Sequence, residues 1–176
     1  MNRTNMDSHD QAHQPQAATQ PGTDDANVSA ELLALADYPN AFGKRFTVSD
    51  GDIDGFGHVN NAVYLQWLDA TVWQHTRSVG LTEQACRELN RGMAVVRHEI
   101  DYLLSSYIND EVVVFVWLMN NDGKLRASRL FQVLRLSDQK TLLRATTDYI
   151  CTNLETGRPA RMPERFKTTY ADTLSL

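Results

Sequence analysis

Thiols, clustered positive charge and long apolar runs are all scarce in this chain, and each shortage closes off a class of function. The two cysteines, Cys86 and Cys151, form no metal-ligand spacing and build no disulfide framework of the kind small exported domains rely on. Lys and Arg number 17 against 22 Asp and Glu, a formal net charge of -5. The basic residues are scattered, which argues against nucleic acid as the main partner, because phosphate binding needs a concentrated basic face. A small local cluster would still suffice for a small anionic ligand. No apolar run approaches the roughly 20 residues of a membrane-spanning helix. The N-terminus also lacks the apolar stretch of a secretory signal. These shortages predict a soluble protein of the cytoplasm.

What is present suffices for one domain with a real core: 176 residues, 42% of them hydrophobic. Residues 1–28 are rich in Asn, Gln, Asp, Thr, Ala and Pro and nearly free of large apolar side chains. Such a segment cannot bury enough surface to offset the entropy of ordering, so residues 1–40 read as a flexible tail with one short capped helix after Ser29. Residues 41–176 read as the globular domain. Its pattern is a short strand (46–49), an acidic glycine-containing loop (50–57) and a helix (60–79) that no proline or glycine interrupts. Val63, Trp67, Ala70 and Gln74 lie at helical spacing, with Tyr64, Leu68 and Val72 on an adjoining strip. A helix apolar over so much of its circumference is expected to be wrapped. Gly80 ends it, and Thr82 caps a second, shorter helix.

Four extended segments follow, at 93–104, 111–119, 124–136 and 141–153. The first alternates, with Val96, His98, Ile100 and Tyr102 on one face and Arg97, Glu99 and Asp101 on the other. The second is nearly all apolar, as in a strand covered on both faces. Asn121-Asp122-Gly123 is a hairpin turn, since these residues tolerate the positive φ that tight hairpins require. Pro163 marks the start of a short terminal helix. One long helix beside an antiparallel meander is an α+β layout, in which a sheet of about five strands curls around the helix.

The chemistry concentrates in Asp52-Ile53-Asp54-Gly55-Phe56-Gly57-His58-Val59-Asn60-Asn61-Ala62-Val63-Tyr64. Peptide N–H groups in the first turn of a helix have no internal partner and carry partial positive charge, so they can hold an anion. A carboxylate beside them can act as nucleophile or as general base for water. Loop and cap alone would also explain an acidic, Asn-rich entry to a helix. A calcium loop would not, because Asn61 stands where an EF-hand needs its glutamate.

The run Asp-x-Asp-x-x-Gly-His-Val-Asn-Asn-x-x-Tyr resembles the signature of the 4-hydroxybenzoyl-CoA thioesterase-like family of hotdog proteins. Arg97 to Tyr102, followed by Asn109-Asp110-Glu111, is similar to that family's second strand and next turn, and the likeness spans residues 44–166. The resemblance implies a hotdog fold and acyl-CoA hydrolysis, with Asp54 as the catalytic carboxylate and the Asn61 backbone N–H as oxyanion donor. It also implies a homodimer, often paired into a tetramer, with active sites between subunits and with CoA thioester as substrate rather than cofactor. Asn61 stands where some relatives carry His or Tyr.

Other residues carry two readings each. His58 could orient Asp54 or simply support the loop, and Asp52 can fix the loop by accepting backbone N–H bonds. Lys124, Arg126 and Arg129, near the hairpin, could pair with CoA phosphates or stand as solvated strand charge. Tyr64, Trp67 and Trp73 are read as core, and Cys151 as a small buried residue. No metal is expected. Two further functions stay open: hydrolysis of acyl-ACP in place of acyl-CoA, and a non-catalytic acyl-CoA-binding module. The acyl group itself is not legible here.

Overall fold

The computed structural model describes residues 28–171; the polar tail expected up to about residue 28 lies outside them. Five strands, β1 (Phe42–Thr47), β2 (Arg91–Tyr102), β3 (Glu111–Asn121), β4 (Arg126–Arg135) and β5 (Lys140–Asn153), form one sheet in the order β1-β3-β4-β5-β2. Every neighbouring pair is antiparallel. Four helices accompany it: α1 (Ala30–Leu33), α2 (Asn61–Ser78), α3 (Glu83–Glu88) and α4 (Glu164–Ala171). The α+β layout with one long helix on a five-stranded antiparallel sheet is therefore the one the pattern predicted.

The hairpin between β3 and β4 shows how local chemistry sets the register. Asp122 Oδ1 accepts from the backbone N–H groups of Lys124, Leu125 and Arg126, and Asn121 Oδ1 accepts from Gly123 N. Gly123 takes a φ of 63°, which a residue without Cβ adopts freely.

Alternation along the strands then sorts side chains between two faces. Val112, Val114 and Val116 of β3, Phe131 and Val133 of β4 and Ala145 of β5 face α2, packing on Val63, Tyr64, Trp67 and Leu68. The other side of β3, with Val113, Phe115 and Trp117, is covered by Val28, Leu32 and Leu33. Residues 28–40, expected to precede the domain, thus lie packed on its outer face. Trp117 Nε1 donates to the carbonyls of Tyr38 and Pro39 at 3.2 and 3.0 Å, and Arg144 pairs with Asp37 at 2.8 Å. A strand apolar on both faces needs two covers, and α2 supplies one.

The helix is less enclosed than its composition suggested. Val63, Tyr64, Trp67, Leu68, Thr71, His75 and Thr76 are buried, while Ala62, Gln66 and Asp69 stand exposed. Beneath the C-terminal half of α2 a polar row crosses the sheet. His98 Nδ1 meets Thr147 Oγ1 at 2.9 Å, Thr147 pairs in register with Arg129, and Arg129 reaches up to His75. Beyond that row a second apolar cluster gathers Leu81, Cys86, Leu118, Ala127, Cys151 and Phe166.

Candidate active site and family membership

The acidic loop is built as two nested turns. Asp52 Oδ2 accepts from Ser49 N and Ser49 Oγ, both at 2.8 Å, closing a 3-10 turn, while its carbonyl accepts from Asn60 N. Inside this frame Ile53 bridges Val59, and Asp54 N donates to His58 O at 2.9 Å. The tip closes when Gly57 N donates to Asp54 O, with Gly57 at a φ of 82°. A second loop braces the first: Val59 N donates to Ser106 O and Val48 N to Asp110 O, both at 2.9 Å. Asp110 Oδ2 holds that second loop by accepting from Ser106 Oγ, Tyr107 N and Arg135 Nη1.

This frame sets the Asp54 carboxylate. One oxygen, Oδ1, accepts from Phe56 N at 2.8 Å; the other, Oδ2, lies 3.5 Å from His58 Nδ1. The side chain is 22% exposed, open enough to meet a substrate yet held on both sides. Asn60 caps α2 with both its groups: Oδ1 accepts from Ala62 N and the carbonyl from Val63 N, each at 2.9 Å. Among the described residues nothing accepts from Asn61 N, so this is the donor left over at the helix start. A cleft of about 140 Å³ opens there, lined by His58, Asn61, Tyr64, Tyr102 and Leu104. Tyr102, whose hydroxyl donates to Asn61 O at 3.1 Å, closes one side. The Tyr64 ring lies edge-on to both Trp67 and Tyr102, and burial pushes its phenol up to about 12.

The three basic candidates do not stand together. Lys124 and Arg126 are exposed at the hairpin. Register places that hairpin beside Ile150 and the Ala94 end of β2, whereas the cleft lies at the Tyr102 end. Arg129 is a correction: it is buried, 3% exposed, under α2, so it cannot meet a phosphate at the surface. Its parity was the missed signal. Arg129 shares its side of β4 with Ala127, Phe131 and Val133, while Arg126 alternates away. Trp73, read as core, instead lines a second cavity near Arg129. Arg135 was also missed; nothing in its local sequence marks it as the clamp on Asp110.

Arg129 Nη1 lies 2.9 Å from His75 Nδ1. A guanidinium only donates, so Nδ1 accepts and the imidazole is neutral, its proton on Nε2. Burial, with the Arg129 charge adding to it, holds His75 down at about 4. On acidification the unfolded chain therefore takes up this proton first. Stability is complete above about pH 6.5 and is lost as pH falls toward 4, by about 3 kcal/mol in all. Thermal melts from pH 7 to 5 should show this loss. His75→Asn, whose Oδ1 can replace the Nδ1 acceptor, should flatten the profile over the same range.

The comparisons with known proteins now decide the family. Residues 48–169, well over half of the chain, match the model of the thioesterase-like superfamily. The chain belongs to that superfamily. A 1,4-dihydroxy-2-naphthoyl-CoA thioesterase from Synechocystis superposes on this thioesterase with a TM-score of 0.67 at 21% identity, over 75% of this chain and 96% of its own. A Staphylococcus aureus protein solved in complex with CoA gives 0.70 at 21%, over 80% and 90%. The 12:0-ACP thioesterase from Umbellularia californica gives 0.68 at 16%, over 77% and 51%. The fold is the hotdog fold that the motif implied, and membership makes the thioesterase a thioester hydrolase by class. No described helix is long and apolar enough to cross a membrane.

Proposed function

We propose that the thioesterase hydrolyses acyl-CoA thioesters where the Asp54 loop meets the start of α2. One observation carries the reading: the Asn61 N–H has no acceptor among the described residues, in a cleft whose His58 touches Asp54. The thioester carbonyl oxygen sits on that N–H, where the helix dipole favours the negative charge that develops during attack. Asp54 takes a proton from water that attacks the carbonyl carbon, or attacks it directly to give an acyl–Asp54 anhydride that water then hydrolyses, releasing the acid and freeing the carboxylate. His58, whose Nδ1 lies 3.5 Å from Asp54 Oδ2, links the carboxylate to the cleft wall. CoA leaves as its thiolate, a good leaving group, so neither a general acid nor a metal is required. CoA as carrier is supported by the Synechocystis and Staphylococcus neighbours, whose names carry it.

The test is a hydrolysis screen over short, long and aromatic acyl-CoAs, with released thiol detected, run beside matched acyl-ACP substrates. Turnover of at least one CoA ester is expected. Turnover confined to ACP esters would move the function to that carrier, and tight acyl-CoA binding without thiol release would make the protein a binding module.

The active form is a homodimer paired through β2. This strand is 12 residues long and forms an edge of the sheet, with Val95 and Val96 45% and 50% exposed. An open edge of that length is a template for another strand. Val96→Asp is expected to halve the mass seen by light scattering at low micromolar concentration and to lower activity with it, while circular dichroism stays unchanged.

A further inference from the structure

The Asn61 N–H is not the only unspent donor at the start of α2. Tyr64 lines the same cleft and is 3% exposed, yet its hydroxyl has no hydrogen-bond partner among the described residues. Phe would fill this space equally well and would spare the fold an unmade bond in its interior. Helical side chains lean toward the N-terminus, so the ring runs back along the first turn beside Asn61. Its tip lies by Ser106, whose carbonyl accepts from Val59 N just before the helix. Burial keeps the phenol neutral up to about 12, so it is a donor and not a base at any ordinary pH. The Ser106 N–H approaches the phenol oxygen, which engages a lone pair and leaves the proton unspent. Tyr102 stands over the site, 43% exposed, its ring edge-on to Tyr64 at 5.7 Å and its hydroxyl 3.1 Å from Asn61 O.

We propose that Tyr64 is a catalytic residue: its hydroxyl and the Asn61 N–H together hold the thioester carbonyl oxygen. The inference rests on the hydrolase reading above and deepens it, by giving the oxyanion site a second donor. One peptide N–H at a helix start is a weak hold on a developing charge, whereas two donors placed in advance and shielded from water are a strong one. The phenol keeps its proton throughout and lends only the hydrogen bond, so the chemistry at Asp54 and the departure of CoA thiolate are unchanged. An ester entering the cleft turns the exposed Tyr102 ring aside to reach the hydroxyl. Its carbonyl then supplies the acceptor that the folded chain withholds. The bond strengthens as the oxygen gains negative charge, which is what favours the transition state over the bound ester.

The test compares the full-length parent with Tyr64→Phe in three measurements. In thermal melts the variant should unfold at or a few degrees above the parent's Tm, because it deletes a donor that the fold leaves unpartnered. Its kcat on the best ester from the screen should fall about 10²-fold, the loss of one oxyanion donor. The third measurement titrates two probes that cannot be cleaved. One is the ketone analogue of octanoyl-CoA, with CH2 in place of the ester sulfur; the other is S-octyl-CoA, which has no carbonyl oxygen. The parent should bind the ketone about tenfold more tightly than S-octyl-CoA, and Tyr64→Phe should lose most of that preference. A hydroxyl with a purely structural role would lower Tm and kcat together. The proposal is overturned by a Tm below the parent's, by parent-like kcat, or by a ketone preference that is absent in the parent or undiminished in the variant. A ketone preference that depends on Tyr64, with no ester turned over, upholds the donor pair and refutes the hydrolase reading, so the two failures are distinguishable.

Discussion

Asp54→Asn is expected to lower kcat for acyl-CoA hydrolysis by about 10²- to 10⁴-fold, the range that a positioned acid–base group contributes. The substitution is close to isosteric. Asn Oδ1 can still accept from Phe56 N, the bond that now holds Asp54 Oδ1, so the loop keeps its shape. What disappears is the negative charge and with it both nucleophile and base. KM should move little, because the Asn61 N–H and the cleft walls are untouched. Steady-state kinetics on the best ester from the screen, with a thermal melt to show that the fold persists, would decide. Parent-like turnover by this variant would remove Asp54 from the chemistry.

A comparable loss, this time of stability, is expected from Trp117→Ala. The indole is fully buried on the outer face of β3, edge-on to Tyr38, and donates to two carbonyls of the 38–39 turn. Truncating a buried Trp costs about 3–5 kcal/mol through lost transfer energy and the cavity left behind. For a domain of this size that lowers Tm by on the order of 10 °C. The loss should be local first. Residues 28–40 lose their main anchor, so hydrogen exchange in that stretch should rise before exchange in β4 and β5. Uniform exchange changes across the sheet would show that this cover is not a separable layer.

Much of this architecture could be read from the chain because it is decided locally. Asn60 caps α2, Asp52 ties its own turn and Asp122 gathers three N–H groups, all within four residues of themselves. The two-sided burial of β3 was legible as an unbroken apolar run. What covers its outer face was not, because Val28 and Leu32 reach Phe115 and Trp117 across a long stretch of sequence. At the candidate site the motif marked Asp54, His58 and Asn61 in advance; His58 stands beside Asp54 and shares the cleft wall with Asn61, while Asp54 itself is not in that wall. The brace from Ser106, Asp110 and Arg135 is a tertiary arrangement with no local signature. Arg129 was misplaced for a different reason. A charged residue near a hairpin suggests solvent, and only the parity of its neighbours shows that it points inward.

The crossing of His98, Thr147, Arg129 and His75 acts as a bulkhead under the long helix. Forward of it lie the side chains that keep the motif loop in place; aft of it lie Ala127, Cys151, Met93 and Leu118. Exchanges in the aft compartment fall in a cluster separate from the one beside the motif loop, so the two can vary independently.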